Sequence, residues 1–222
     1  FSSVIRGLIK SGLFTARLNR HTLPEFLAYQ TVHAPNTILE DVHMLMPGHY
    51  ILITNKQVQV VSWWNMKDQV SNRSSGKSYK EVCKETYELL LRSVERRLIA
   101  DVPLGAFLSG GIDSSAVVAL MYEISPGNVK TFNISFDEAE FNEAHYARAL
   151  AKKYNTDHTE IRLSPKDFLN ELPNALRAMN HPSGDGPNTF VVSKATREKG
   201  ITVALSGLGG DELFAGYSVF TQ

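Results

Sequence analysis

The apolar and polar positions along the chain follow one rhythm up to residue 66 and another from Ser78 onward. Residues 1–66 carry short apolar runs and alternations that read mostly as β, with one short helix. TLPEFLAYQ (22–30) predicts that helix, with Thr22 as its cap, Pro24 in the first turn and Glu25 three residues after the cap. YILITNKQVQVVSWW (50–64) alternates on either side of Asn55-Lys56 and predicts a β-hairpin. KDQVSNRSSGKS (67–78) is polar, has no periodicity and reads as a linker.

From Ser78 the period becomes helical. SYKE predicts a capping box, Ser78 with Glu81, and Tyr79, Val82, Thr86, Leu90, Val94 and Leu98 then recur on one face to about residue 100. Strands and helices alternate after it. GAFLS (105–109) precedes a helix at 113–124, and VKTFNISF (129–136) precedes a helix over 142–155. HTEIRL (158–163) precedes a helix capped by Ser164 with Pro165 in its first turn, and a helix at 187–199 leads through Gly200 into ITVALS (201–206). This order predicts an α/β fold, a parallel sheet covered by helices on both faces. Ligands in such folds bind beyond the carboxyl ends of the strands. Two glycine-rich turns stand at such ends, LSGGIDSS (108–115) and LSGLGGDE (205–212).

A strand that runs straight into a helix leaves main-chain N–H groups unpaired, and together they carry roughly half a positive charge. Gly110 and Gly111 let the backbone approach a bulky anion, and Ser109, Ser114 and Ser115 add hydroxyl donors. Asp113 would repel a phosphate unless a cation stood between them, which points to magnesium, and Asp211 offers a second carboxylate from the other turn. The competing reading is a pair of ordinary tight turns in which Asp113 merely caps its helix. Two such turns, each with an aspartate at a strand end, favour the anion. SSGKS (74–78) ends like a Walker A loop, but Ser71 stands where that motif needs glycine and no strand precedes it.

Composition narrows the field. In 222 residues, 23 Lys+Arg balance 23 Asp+Glu, which argues against a nucleic-acid binder that works by bulk charge. There is no apolar run of membrane-spanning length and no leader-like start, and one cysteine, Cys83, fits a reducing, cytoplasmic setting. Cys83 falls mid-helix and reads as a small buried apolar residue. The start at Phe1 and the stop at Gln222 read as those of a piece of a larger protein. The histidines (21, 33, 43, 49, 145, 158 and 181) have no zinc-ligand spacing and read as surface or hairpin residues. The loop Asn180–Gly186 could shape a substrate pocket, with Asp185 gripping an amino group, and FDEAEFNE (136–143) reads as a solvated helix start.

LSGGIDSS resembles the pyrophosphate loop of the N-type ATP pyrophosphatases. With DVPLGAFLSGGIDSSAVVAL (101–120), TFNISFDEAEFNEAHYARALAKKYNTDH (131–158) and VALSGLGGDELFAGY (203–217), it resembles the synthetase domain of glutamine-dependent asparagine synthetases. FSSVIRGLIKSG, PEFLAYQTV and LMPGHYILI resemble the closing portion of the glutaminase domain that precedes it. The resemblance implies an N-terminal-nucleophile glutaminase remnant at 1–66, a linker at 67–77, and the start of a PP-loop (adenine nucleotide α-hydrolase-like) synthetase domain at 78–222.

It further implies ATP-dependent adenylation of a carboxylate, aspartate in the type case. Ammonia from glutamine then forms the amide. Ser109, Gly110, Gly111, Ser114 and Ser115 would cradle pyrophosphate, Asp113 and Asp211 would hold magnesium, and Leu108, Ile134, Ser206 and Gly207 would meet the AMP half. For Leu108 and Ile134 plain core packing is the alternative.

Three departures qualify the match. The family's catalytic cysteine would precede Phe1, and Cys83 cannot replace it, so glutamine hydrolysis is not expected of this chain. A catalytic lysine would follow Gln222. Leu208 stands where the family often has an acid, which leaves a sugar acid or peptide open as the carboxylate. A non-catalytic nucleotide-binding role is the remaining alternative.

Overall fold

The computed structural model describes residues 1–69, 76–136 and 144–221. The linker expected at 67–77 and the acidic run at 136–143 therefore lie largely outside the described residues, as do the first two residues of the helix expected at 142–155. Two compact units divide the chain, one of Phe1–Ser75 with Pro173–Pro187, the other of Gly76–Leu172 with Asn188–Gln222.

The first unit is more helical than its sequence pattern suggests. It holds α1 (Ile5–Ser11), α2 (Leu23–Tyr29), the hairpin strands β1 (His49–Ile53) and β2 (Val58–Ser62), and the single turn α3 (Met66–Gln69). The alternation at 50–64 gives the antiparallel pair, closed where Thr54 N–H donates to Gln57 C=O at 3.0 Å. The capping expectation at Thr22 fails. A 3-10 turn over Arg20–Thr22 runs into α2, and the buried Thr22 hydroxyl donates back to Asn19 C=O at 2.9 Å. Glu25 turns instead to His33, accepting from its N–H at 3.0 Å and meeting its ring at 2.5 Å. Residues 173–187 are tied into this unit. Arg6 donates to Asn180 Oδ1 (3.2 Å) and Arg177 C=O (2.8 Å), His181 Nε2 lies 2.8 Å from Val32 C=O, and Gly184 N–H donates to Gln30 C=O at 3.2 Å.

The second unit carries α4 (Tyr79–Arg97), β3 (Leu104–Phe107), α5 (Ile112–Ile124), β4 (Lys130–Phe136), α6 (Ala144–Lys153) and β5 (Asp157–Leu163). Then come α7 (Pro165–Ala178) and α8 (Gly186–Glu198), both of which extend past the division between the units, and finally β6 (Val203–Leu205) and α9 (Gly210–Phe214). The capping box forms as the sequence predicts, Ser78 N–H donating to Glu81 at 2.7 Å and Glu81 N–H to Ser78 Oγ at 3.4 Å. Ser164 and Asp167 make the same reciprocal pair at the start of α7. Cys83 is exposed on α4, because the part of the helix packed against the core begins at Leu90 and the turns before it, with Tyr79 and Val82, are uncovered, so the buried position expected for it is corrected.

The four strands pair in parallel in the order β5-β4-β3-β6. One face buries Val94, Ala106, Leu108, Val118, Met121 and Ala147, and the other buries Phe132, Ile161, Ala195 and Ile201, so the sheet is helix-covered on both sides. Full burial of an aliphatic side chain such as Leu108 or Val118 contributes about 1.5–3 kcal/mol. After β3 the chain steps to β4 and β5 on one side, then returns to place β6 on the other side of β3. The segments leaving β3 and β6 therefore begin side by side, at the strand ends where ligands of such sheets bind.

Candidate functional site

Both glycine turns leave those strand ends. Beyond Phe107 the chain passes Leu108, turns at Gly110 with φ 98°, a left-handed conformation suited to glycine, and enters α5 at Gly111. Gly111 has no side chain with which to cap, so the cap residue takes up none of the first N–H groups of α5. The serines brace the loop internally. Ser109 Oγ accepts from Gly111 N–H at 3.3 Å and lies 2.9 Å from Ser114 Oγ. The Ser114 and Ser115 hydroxyls donate to Gly111 C=O at 3.2 and 2.5 Å. The hydroxyls thus hold the loop's shape.

The second turn packs directly on the first. A Cβ added at Gly207 would come within 2.7 Å of Ser114 N and 2.9 Å of Asp113 C, and one added at Gly210 would overlap the Asp113 carboxyl group. Gly209 takes φ 98°, and Leu208 N–H donates to Ser206 Oγ at 3.0 Å. A crevice of about 640 Å³ lies between the turns, lined among others by Ser109, Gly111, Asp113, Ser206, Gly207 and Asp211. Ser114 also lines it, while Gly110 and Ser115 line an adjoining groove beside Tyr146.

Asp113 and Asp211 both add to the negative charge felt by the Tyr217 phenol. The Tyr217 phenol, which donates to Glu212 Oε1 at 2.7 Å, is pushed up chiefly by that bond, further by desolvation and by the charge of Glu212, Asp211 and Asp113. Among the described residues no group of three or more His, Cys, Asp and Glu is placed to hold a metal ion. Any ion between Asp113 and Asp211 would need a ligand's oxygens to complete its shell.

Leu108 is 0% exposed, and the half-buried Ile134 packs with the opposite core beside Phe132 and Ile161. Core packing thus describes both side chains, and neither lines the crevice. Asp185 belongs to the first unit, next to the Gly184 that Gln30 holds. Leu208 projects from the second turn, 89% exposed. The surface reading of the histidines needs correction at two positions: His158 and His181 each bury a ring nitrogen, because His158 pairs with Thr131 inside the sheet and His181 with Val32. Phe107, Phe214, Gly216 and Tyr217 were not anticipated at the site, although the ELFAGY that follows the second aspartate was the place to look.

Residues 85–222 match the asparagine synthase family model, and residues 1–64 match the glutamine amidotransferase domain model. Asparagine synthetase (glutamine-hydrolyzing) 1 of Bacillus subtilis is 32% identical over 92% of this chain and 32% of its own length. Amidase chyE of Penicillium rubens is 29% identical over 83% of this chain and 30% of its own. The chain thus spans about a third of the length of these relatives. Among solved structures, an NH3-dependent NAD synthetase from Campylobacter jejuni aligns with 64% of this chain and 62% of its own at TM-score 0.41 and 15% identity.

Proposed function

The chain belongs to the asparagine synthase family, and from that footing we propose that its second unit activates a carboxylate with ATP for conversion to an amide. The substrate carboxylate oxygen attacks the α-phosphorus, the bond to the bridging oxygen breaks, and pyrophosphate leaves. Ammonia, supplied from glutamine, then attacks the acyl carbon, loses a proton and displaces AMP. With aspartate as substrate the product is asparagine.

In this reading the loop of Ser109, Gly110, Gly111, Ser114 and Ser115 cradles the departing pyrophosphate, through main-chain N–H groups not already bonded within it. A site that grips a leaving group in this way has no need of the P-loop lysine that serves γ-phosphoryl transfer. Asp113 and Asp211 would hold magnesium, which would neutralise charge on the phosphate oxygens. Ser206 and Gly207 face the adenosine half, whereas the side chains of Leu108 and Ile134 serve only as core packing behind it. The domain division proposed with it is the C-terminal part of a glutaminase-like domain at 1–66, a linker at 67–77 and the N-terminal part of the synthetase domain at 78–222.

The contact of the two turns, Gly207 and Gly210 against Asp113, carries the proposal. Calorimetric titration with ATP and magnesium tests it. Binding that weakens at least tenfold in Asp113→Ala supports the assignment. No binding by the native chain, or equal binding by the variant, sinks it.

Leu208 motivates a second reading, since the exposed apolar side chain brings no acid to the turn. The acceptor would then be another carboxylate, such as a sugar acid or peptide. ATP–pyrophosphate exchange with the full-length protein separates the two: exchange stimulated by aspartate alone removes the second reading.

A further inference from the structure

Strands buried on both faces of a parallel sheet are normally apolar throughout. β4 breaks this rule on one side, where Thr131, Asn133 and Ser135 are all buried. Its other face carries Phe132 and Ile134, as expected of a core strand. The polar trio lies on the face shared with Ala106 and Leu108, since Ala106 pairs with Thr131 in register, and α6 packs over β4 there. Buried polar side chains on a central strand cost stability unless they are bonded, so each needs a reason to be there. Thr131 has a local one: its hydroxyl lies 2.8 Å from Thr156 Oγ1 and 2.9 Å from His158 Nδ1.

Asn133 is different. It is 4% exposed, its Oδ1 has no partner among the described residues, and its Nδ2 donates at 3.0 Å to the carbonyl of Leu108. Leu108 N–H in turn donates to Phe132 C=O at 2.7 Å. β4 therefore grips both main-chain groups of the residue at which β3 becomes the glycine loop. A trans peptide is planar, with C=O and N–H pointing in opposite directions. Holding the Leu108 carbonyl toward Asn133, on the β4 side, sends the Ser109 N–H the other way, toward β6 and its glycine turn. The next link is Ser109 Oγ, which braces Gly111 N–H and Ser114.

We propose that Asn133 is a positioning residue for the anion cradle: its amide fixes the Leu108–Ser109 peptide plane and so aims the loop's donors into the crevice. The proposal rests on the functional reading above for its ligand, but not for its geometry. An isosteric Asn133→Leu keeps the volume and also removes the unpartnered Oδ1. Thr131→Val, which breaks a buried polar bond two residues away on the same face, serves as control.

Two readouts are expected. Amide hydrogen exchange without ligand should accelerate at 109–115 in Asn133→Leu and remain native there in Thr131→Val. Dissociation constants for magnesium–ATP and for pyrophosphate should rise at least tenfold in Asn133→Leu and stay within twofold in Thr131→Val, below both melting transitions. Unchanged exchange at 109–115 in Asn133→Leu, or equal loosening in the control, overturns the proposal. A native chain that binds neither ligand defeats the functional reading alone, because the exchange readout still decides the role of Asn133. Should the leucine variant not fold, Asn133→Ser, too short to reach the carbonyl, takes its place in the same comparison.

Discussion

The packing of one glycine turn on the other sets up a comparison between two nearly identical substitutions. In Gly207→Ala the new methyl group meets main-chain atoms, Ser114 N at 2.7 Å and Asp113 C at 2.9 Å. Ordinary contact begins at 3.4 Å, so the turns must part by about 0.7 Å. Overpacking of this kind costs about 1–3 kcal/mol. For a protein of this size each kcal/mol lowers Tm by about 2–4 °C. In Gly210→Ala the obstacle is only the Asp113 carboxyl group, the far end of a side chain that can rotate. Position 210 is helical without positive φ, so alanine there leaves stability unchanged or raises it by at most about 1 kcal/mol.

What Gly210→Ala removes is the placement of Asp113. With Asp113 in the magnesium role proposed above, its displacement should lower magnesium-dependent ATP binding about 10–100-fold, as loss of support to a metal typically does, while binding in chelator changes little. Urea melts and calorimetry with and without magnesium measure the two effects separately. Native-like magnesium–ATP binding by Gly210→Ala, or native stability of Gly207→Ala, would refute the reasoning.

Two further outcomes concern pH. The Ser78 and Ser164 caps hold the Glu81 and Asp167 carboxyls below their ordinary values of 4.5 and 3.8, first through the serine hydroxyl bonds. Their contribution is therefore complete above those values and is lost as pH falls through the depressed folded values. Urea midpoints should drop on acidification, and Ser78→Ala, which removes about 1 kcal/mol of capping at neutral pH, should flatten that dependence. Burial pushes the His158 imidazolium down, with Glu160 opposing and Arg148 adding to the shift. The unfolded chain then takes up a proton below pH 6.5 before the folded one does, so stability declines from there toward the folded value. His158→Gln should be less sensitive to pH over that interval, and an unchanged slope would show that His158 titrates normally.

Much of the second unit was legible because its signals are local. The Ser78–Glu81 box, the prolines and glycines at helix ends and the change of period at each strand all act within a few residues, and the elements form where they point. The glycine turns were legible for the same reason. What escaped was set at a distance. Thr22 fits a cap by spacing, but Asn19 claims its hydroxyl and His33 claims Glu25. The sequence predicts β4 as a strand of a sheet covered on both faces, but nothing local shows which partners its polar residues Thr131 and Asn133 find there. No periodicity announces that Asn133 reaches Leu108 at the end of the neighbouring strand, or that 173–187 groups with the first 75 residues.

That last grouping bears on how the protein can be taken apart. A clone ending at Ser75 would strip Arg6 of its Asn180 and Arg177 acceptors and Val32 of the His181 ring. Its mirror, begun at Gly76, would carry 173–187 without the residues that segment was folded against. Neither half is a faithful sample of the whole, and a dissection that respects the molecule would splice Pro173–Pro187 back onto the N-terminal piece.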